Sequence, residues 1–171
     1  GLYPWWHIAN TLQGSSPKTI GIVTIAGQQG GTRKEDSPYV QRGTSVLEDL
    51  VDFLKEQFPT SKVIVRNAKT ESPQIALSRL VLARAHTICA GVSTFGLWPA
   101  RGSVGMGHIT LAELFSWVAR IDDSNVKVHN VPFLSGFETN RRGLDTYGVL
   151  AWLRSREGIA NSNSSRVVSL R

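Results

Sequence analysis

Soft and imidazole side chains are scarce in this chain of 171 residues: one cysteine, one methionine and four histidines. Cys89 alone cannot close an internal disulfide, so burial of apolar surface has to hold the fold together. Its place in the apolar run Thr87-Ile88-Cys89-Ala90 reads as an inert core residue. His7, His86, His108 and His129 are widely spaced, no HExxH or GxSxG occurs, and no Cys/His set has the spacing of a zinc site. These absences argue against a hydrolytic triad and give metal dependence no support. Asp122-Asp123 reads as a solvated turn. No segment approaches the roughly 20 consecutive apolar residues of a membrane span. Basic residues outnumber acidic ones, but they are scattered, and no cluster resembles a nucleic-acid-binding arm.

What is present suits one sizeable core. Apolar residues make up 41% and charged residues 19%, a globular composition. The net charge of +6 suits an anionic ligand such as a phosphate or nucleotide, and equally a nucleic acid, and it also contributes to solubility. The chain opens on Gly1 rather than Met, which is the expectation for a fragment or a processed piece.

Residues 1–16 form an aromatic N-terminal segment with Leu2, Tyr3, Trp5 and Trp6 but no periodicity, expected to pack on the body or on a region beyond it. Residues 17–158 read as one Rossmann-like domain. Thr19 to Ala26 is a buried-strand pattern ending in the glycine-rich turn Gly27 to Arg33, which lacks the spacing of a dinucleotide or P-loop fingerprint. Thr44 to Phe58 is the clearest helix, with Val46, Leu47, Leu50, Val51, Phe53 and Leu54 inward. Glu48, Asp49, Asp52, Lys55 and Glu56 face water, and Pro59 stops it. Val63-Ile64-Val65 is a second strand followed by the polar loop Arg66 to Glu71, and Ser72-Pro73 starts a helix running to Ala85. Thr87 to Ala90 is a third strand, ending in the turn Gly91 to Gly96, after which Phe95 to Ala100 reads as a short helix.

Gly102 to Gly107 is too rich in glycine for a helix and reads as a loop or distorted strand, with His108 able to line a cleft. His86 starts a core strand. Val126 to Val131 alternates as a last strand. Asp145 caps a closing helix to Arg156, with Tyr147, Leu150, Ala151 and Leu153 inward, and residues 159–171 are a flexible polar tail. Alternating strands and helices predict an α/β fold, a parallel sheet with helices on both faces. In such sheets ligands sit beyond the carboxyl ends of strands, where Arg66, Asn67, Glu71, Ser93 and Thr94 fall. Hydroxyls and free N–H groups at Ser93-Thr94-Phe95 suit a phosphate, although a helix cap alone uses the same residues.

The stretch from Val63 to Ala100, with VIVRN, ESPQIALSRLVLARA and AGVSTFGLWPA, resembles the donor-binding half of GT-B glycosyltransferases, closest to the fucosyltransferase-like superfamily. The resemblance implies a metal-independent transfer of a sugar from a nucleotide sugar to a glycan or glycoprotein acceptor. GDP-fucose is the donor it favours, and no further cofactor is implied. Ser93, Thr94 and Phe95 then meet the diphosphate, and Arg66, Asn67 and Glu71 approach the nucleoside. It also implies a separate N-terminal acceptor domain, so that this chain is part of a catalytic unit, and residence in the Golgi or secretory lumen. One departure is plain: where that family carries His-x-Arg-x-Gly-Asp, this chain reads Ile25-Ala26-Gly27-Gln28-Gln29-Gly30, and Arg33 is the next arginine. Either Arg33 substitutes, or donor and chemistry differ, or activity is lost. The alternative is a non-catalytic α/β module that binds a partner protein or an anionic polymer through its basic surface and its Trp-rich N-terminus.

Overall fold

Among the described residues five short strands, all paired in parallel, carry the architecture. The computed structural model describes residues 2–24, 38–67, 84–91, 99–111, 126–132, 134 and 136–156. Their elements, in chain order, are α1 (Trp5–Gln13), β1 (Thr19–Thr24), α2 (Pro38–Gln57), β2 (Lys62–Asn67), β3 (Thr87–Gly91), β4 (Met106–Leu111), β5 (Val126–Asn130), α3 (Gly136–Arg141) and α4 (Thr146–Arg154). Among these residues β1 pairs with β2, and β3-β4-β5 form a second ladder. Every pairing is parallel. The fold is therefore α/β and Rossmann-like, as strand–helix alternation predicts.

Helices cover the sheet because each strand places alternate residues on opposite faces. On one face α1, α2 and α4 converge. Trp5, Ala9 and Leu12 of α1 join Ile20 of β1, Phe53 and Leu54 of α2, Phe58, Leu134, and Val149 and Leu153 of α4 in a single buried cluster. Cys89 of β3 packs against the edge of that cluster. The register Ile88↔Gly107 and Gly107↔Val126 lines up the other face of the second ladder. There Ile88 and Val126 are buried, and Ala100, on a helical turn at residues 99–101, sits over Gly107.

The N-terminal segment is the largest difference from the sequence reading. It is a helix, not an aperiodic stretch, and its buried residues Trp5, Ala9 and Leu12 fall at the i, i+4, i+7 spacing of one helical face. Trp6 masks that periodicity because it is only half-buried, edge-on to Phe53 at 5.2 Å, with its indole N–H donated to the Arg154 carbonyl at 2.8 Å. A backbone bridge between Leu2 and Leu134 ties the start of the segment to the body.

Four further readings are corrected. Arg66 and Asn67 close strand β2 instead of opening a loop, because the ladder with β1 continues through Thr24↔Asn67. Helix α2 begins at Pro38 rather than Thr44; proline suits a first turn, and Gly43 is tolerated inside a helix at a modest cost. Met106 and Gly107 open a regular strand, β4, despite the glycines around them. In α4, Asp145 caps as expected, accepting the Gly148 N–H at 2.7 Å. Val149 and Leu153 point inward, however, while Tyr147 and Ala151 are exposed. Two residues on either side of Val149 is roughly 200° around the helix, which turns them to the opposite face. The helix expected from Ser72-Pro73, the glycine-rich turn after β1, the segment 112–125 and the tail 159–171 lie outside the described residues.

Candidate functional site: strand ends and a histidine cluster

The carboxyl end of the β1–β2 ladder brings two expected site residues into place. Val23 is in register with Arg66 and Thr24 with Asn67, so the last residues of two parallel strands lie side by side. Beyond them the chain enters the glycine-rich segment on one side and the polar stretch containing Glu71 on the other. Strand β3 ends at Gly91, beside Thr110 of β4, and leads into Ser93-Thr94-Phe95. Arg33, Glu71, Ser93, Thr94 and Phe95 themselves lie outside the described residues, as do the side chains of Arg66 and Asn67.

The described structure gathers a different set of polar side chains, which spacing along the chain does not disclose. His7 on α1, His108 on β4 and His129 on β5 meet on the helix-covered face. His108 Nδ1 and His129 Nε2 are 2.9 Å apart, with ring planes only 14° from parallel. One ring donates an N–H and the other accepts it, so the pair shares a single proton across this contact. The His7 ring stands at 61° to that of His129, with centroids 5.0 Å apart. In register, Cys89 of β3, His108 of β4 and Lys127 of β5 stand in a row, and His129 lies two residues beyond Lys127.

This environment favours neutral imidazoles. Burial chiefly, then the positive fields of His129 and His108, pushes His7 down to about 4. His108 is likewise pushed down to about 4, by burial first and then by His129 and Lys127. Burial and the Lys127 ammonium lower His129 as well. Desolvation also raises the Cys89 thiol to about 12, which keeps it protonated and inert near neutral pH, as its place in an apolar strand implies. A signal for the cluster did exist in the sequence: His108 and His129 interrupt the apolar residues of two strands at alternating positions. Without the β4–β5 register it had no meaning.

The remaining histidine has no part in this. His86 is exposed just ahead of β3, correcting its reading as a core-strand residue; its carbonyl accepts the Met106 N–H at 3.0 Å and so starts the β3–β4 ladder. Next to it, Ser103 is buried, its hydroxyl donating to the Ala85 carbonyl at 3.1 Å and accepting the Gly105 N–H at 3.0 Å. Among the described residues no buried side-chain nitrogen or oxygen lacks a hydrogen-bond partner, and no group of three or more His, Cys, Asp or Glu is arranged to hold a metal ion. No described helix is long and apolar enough to cross a membrane.

The strand pairing and its covering helices define a parallel α/β domain of the Rossmann-like type. No family model, curated protein or solved structure matches the chain.

Proposed function

We propose that this domain binds a nucleotide sugar at the carboxyl ends of its strands, as the donor half of a GT-B glycosyltransferase of the fucosyltransferase-like kind. The observation that carries the reading is the parallel β1–β2 ladder with Arg66 and Asn67 at its carboxyl end. Parallel strands leave their ligand crevice there, and the Arg66-Asn67 pair opens the run through Glu71 to Ser93-Thr94-Phe95 that carries the family resemblance. An arginine is suited to a diphosphate because its planar fork offers several donors and holds its charge at any working pH. Arg33 is a second cation within the glycine-rich segment that follows β1. In this reading the chain's basic groups and backbone N–H groups offset the charge that builds on the departing diphosphate. A glycan or glycoprotein hydroxyl is the acceptor, met by an acceptor domain outside this chain, in a Golgi or secretory lumen.

Isothermal titration of the chain with GDP, UDP and CMP at moderate salt tests it. The expected result is saturable binding of one nucleotide, GDP foremost, weakened at least about ten-fold in Arg66→Ala, which is the loss of roughly one charge-assisted contact. A folded chain that binds none of the three, yet binds a polyanion such as heparin in a steeply salt-dependent way, sinks the proposal in favour of a non-catalytic module.

A further inference from the structure

The three histidines sit where the N-terminal helix meets the sheet, and this gives them a second consequence. The contacts that seat the N-terminal segment and helix α1 on the body include the Leu2–Leu134 bridge, the buried Trp5, Ala9 and Leu12, the Trp6–Arg154 hydrogen bond, and His7 against His129. The first three do not titrate in the weakly acidic range. The fourth does.

The 2.9 Å contact between His108 and His129 has room for one proton between its two nitrogens. One added proton elsewhere on the pair leaves an imidazolium hydrogen-bonded to an imidazole. Full protonation of both rings sets N–H against N–H and destroys the contact. His7, from α1, stands beside His129 with ring centroids 5.0 Å apart, and Lys127, on β5, already places an ammonium near the pair. Cys89, the facing group from β3, remains a neutral thiol and offers no countercharge. His7 also lies in the first turn of α1, where the helix dipole opposes a positive charge.

We propose that His7, His108 and His129 form an acid-sensitive latch: neutral, they let α1 seat on the β3-β4-β5 sheet, and protonated, they push it off. Loosening α1 uncovers the apolar face formed by Trp5, Ala9 and Leu12 and the part of the core beneath it. The device belongs to the fold and does not depend on which ligand occupies the strand ends.

Hydrogen exchange read by mass spectrometry on the intact chain, with rates corrected for the intrinsic effect of pH, tests the latch. Between about pH 7 and about pH 5, protection of residues 5–13 should fall about ten-fold further than that of α4. In His129→Gln, whose amide can still meet His108 but takes up no proton, that selective loss should shrink several-fold, His7 and His108 alone remaining to bind protons. Loss of protection in step across α1 and α4, or an unchanged acid response in His129→Gln, overturns the proposal. If His129→Gln does not fold, a proton NMR titration of the wild-type imidazoles decides. Ring signals of His7, His108 and His129 that move together with the α1 amides support the latch, and ring titration that leaves the α1 amides unmoved overturns it.

Discussion

A Cβ on Gly105 would run into the backbone carbonyl of His86, the group that accepts the first hydrogen bond of the β3–β4 ladder. Because the obstacle is backbone, it cannot be turned aside like the end of a side chain. Gly43, inside α2, has nothing within 4 Å of the equivalent point. The two glycines therefore give opposite outcomes. Gly105→Ala should lower the unfolding free energy by about 2–3 kcal/mol, at the upper end for overpacking. Gly43→Ala should raise it by about 0.5–1 kcal/mol, since a helical alanine leaves the unfolded chain fewer conformations to lose. Urea unfolding of both variants checks the pair. Neither glycine could be judged in advance. Gly43 lies ahead of the helix start that the sequence pattern sets at Thr44, and the need for Gly105 comes from a carbonyl nineteen positions earlier that only the strand pairing brings near. Asp145, by contrast, was legible as a cap, because an N-cap acts within three residues of its own chain.

At the scale of elements, the join between α2 and α4 is built on Arg154. Its Nε and Nη2 reach Asp49 at 2.9 Å each, and its Nη1 reaches Glu56 at 3.0 Å. The sequence pattern assigns Asp49 and Glu56 to the water-facing side of α2. Asp49 is instead only 24% exposed in this pair, and the Asp49 hydrogen bonds, foremost, keep the arginine's proton even more firmly than usual. The Arg154 backbone carbonyl also takes the Trp6 indole N–H, so one residue joins α1, α2 and α4. A bidentate, half-buried pair is stronger than a surface ion pair. In a double-mutant cycle of Arg154→Met with Asp49→Asn, thermal or urea unfolding should return a coupling of about 1–2 kcal/mol. A coupling near zero would mean that the apolar contacts of α1, α2 and α4 hold the join without the ions. Charge spacing along α2 could not disclose this, since the partner lies on a helix more than ninety residues later.

For the whole molecule, the depressed histidines set the acid side of stability. With folded values near 4 for His7 and His108 and an unfolded value of 6.5, the unfolded chain binds more protons than the folded one between those limits. Unfolding free energy therefore rises with pH across that window. The contribution is intact above about pH 6.5, is lost progressively as pH falls toward about 4, and changes little from these groups below that. A series of thermal unfolding curves should show Tm falling across that window, with a shallower fall in a His108→Gln, His129→Gln double variant. An equal slope in both proteins would mean that carboxylates, not these imidazoles, govern the acid limb.

Local physics suffices for much of this chain. The strands at Thr19, Lys62, Thr87 and Val126, the helix ending before Pro59 and the Asp145 cap each depend on neighbours a few residues away, and on β-branched runs, helical spacing and capping chemistry that a sequence displays directly. Alternation of these elements was enough to determine a parallel α/β fold, because strand, helix and strand return in parallel only through a covered sheet. The expected site residues at 33, 71 and 93–95 rest on the sequence alone, with Arg66 and Asn67 set at a strand end by the β1–β2 register. What required tertiary structure were the relations that depend on register and on contact between distant segments. These are the helical seat of the N-terminal aromatics, the clamp at Arg154, the carbonyl against Gly105, and the meeting of His7, His108 and His129. A histidine in a strand can face core, solvent or another histidine, and its own neighbours in the chain are the same in all three cases. Parallel pairing of β4 with β5, and the docking of α1 above them, decided among those outcomes.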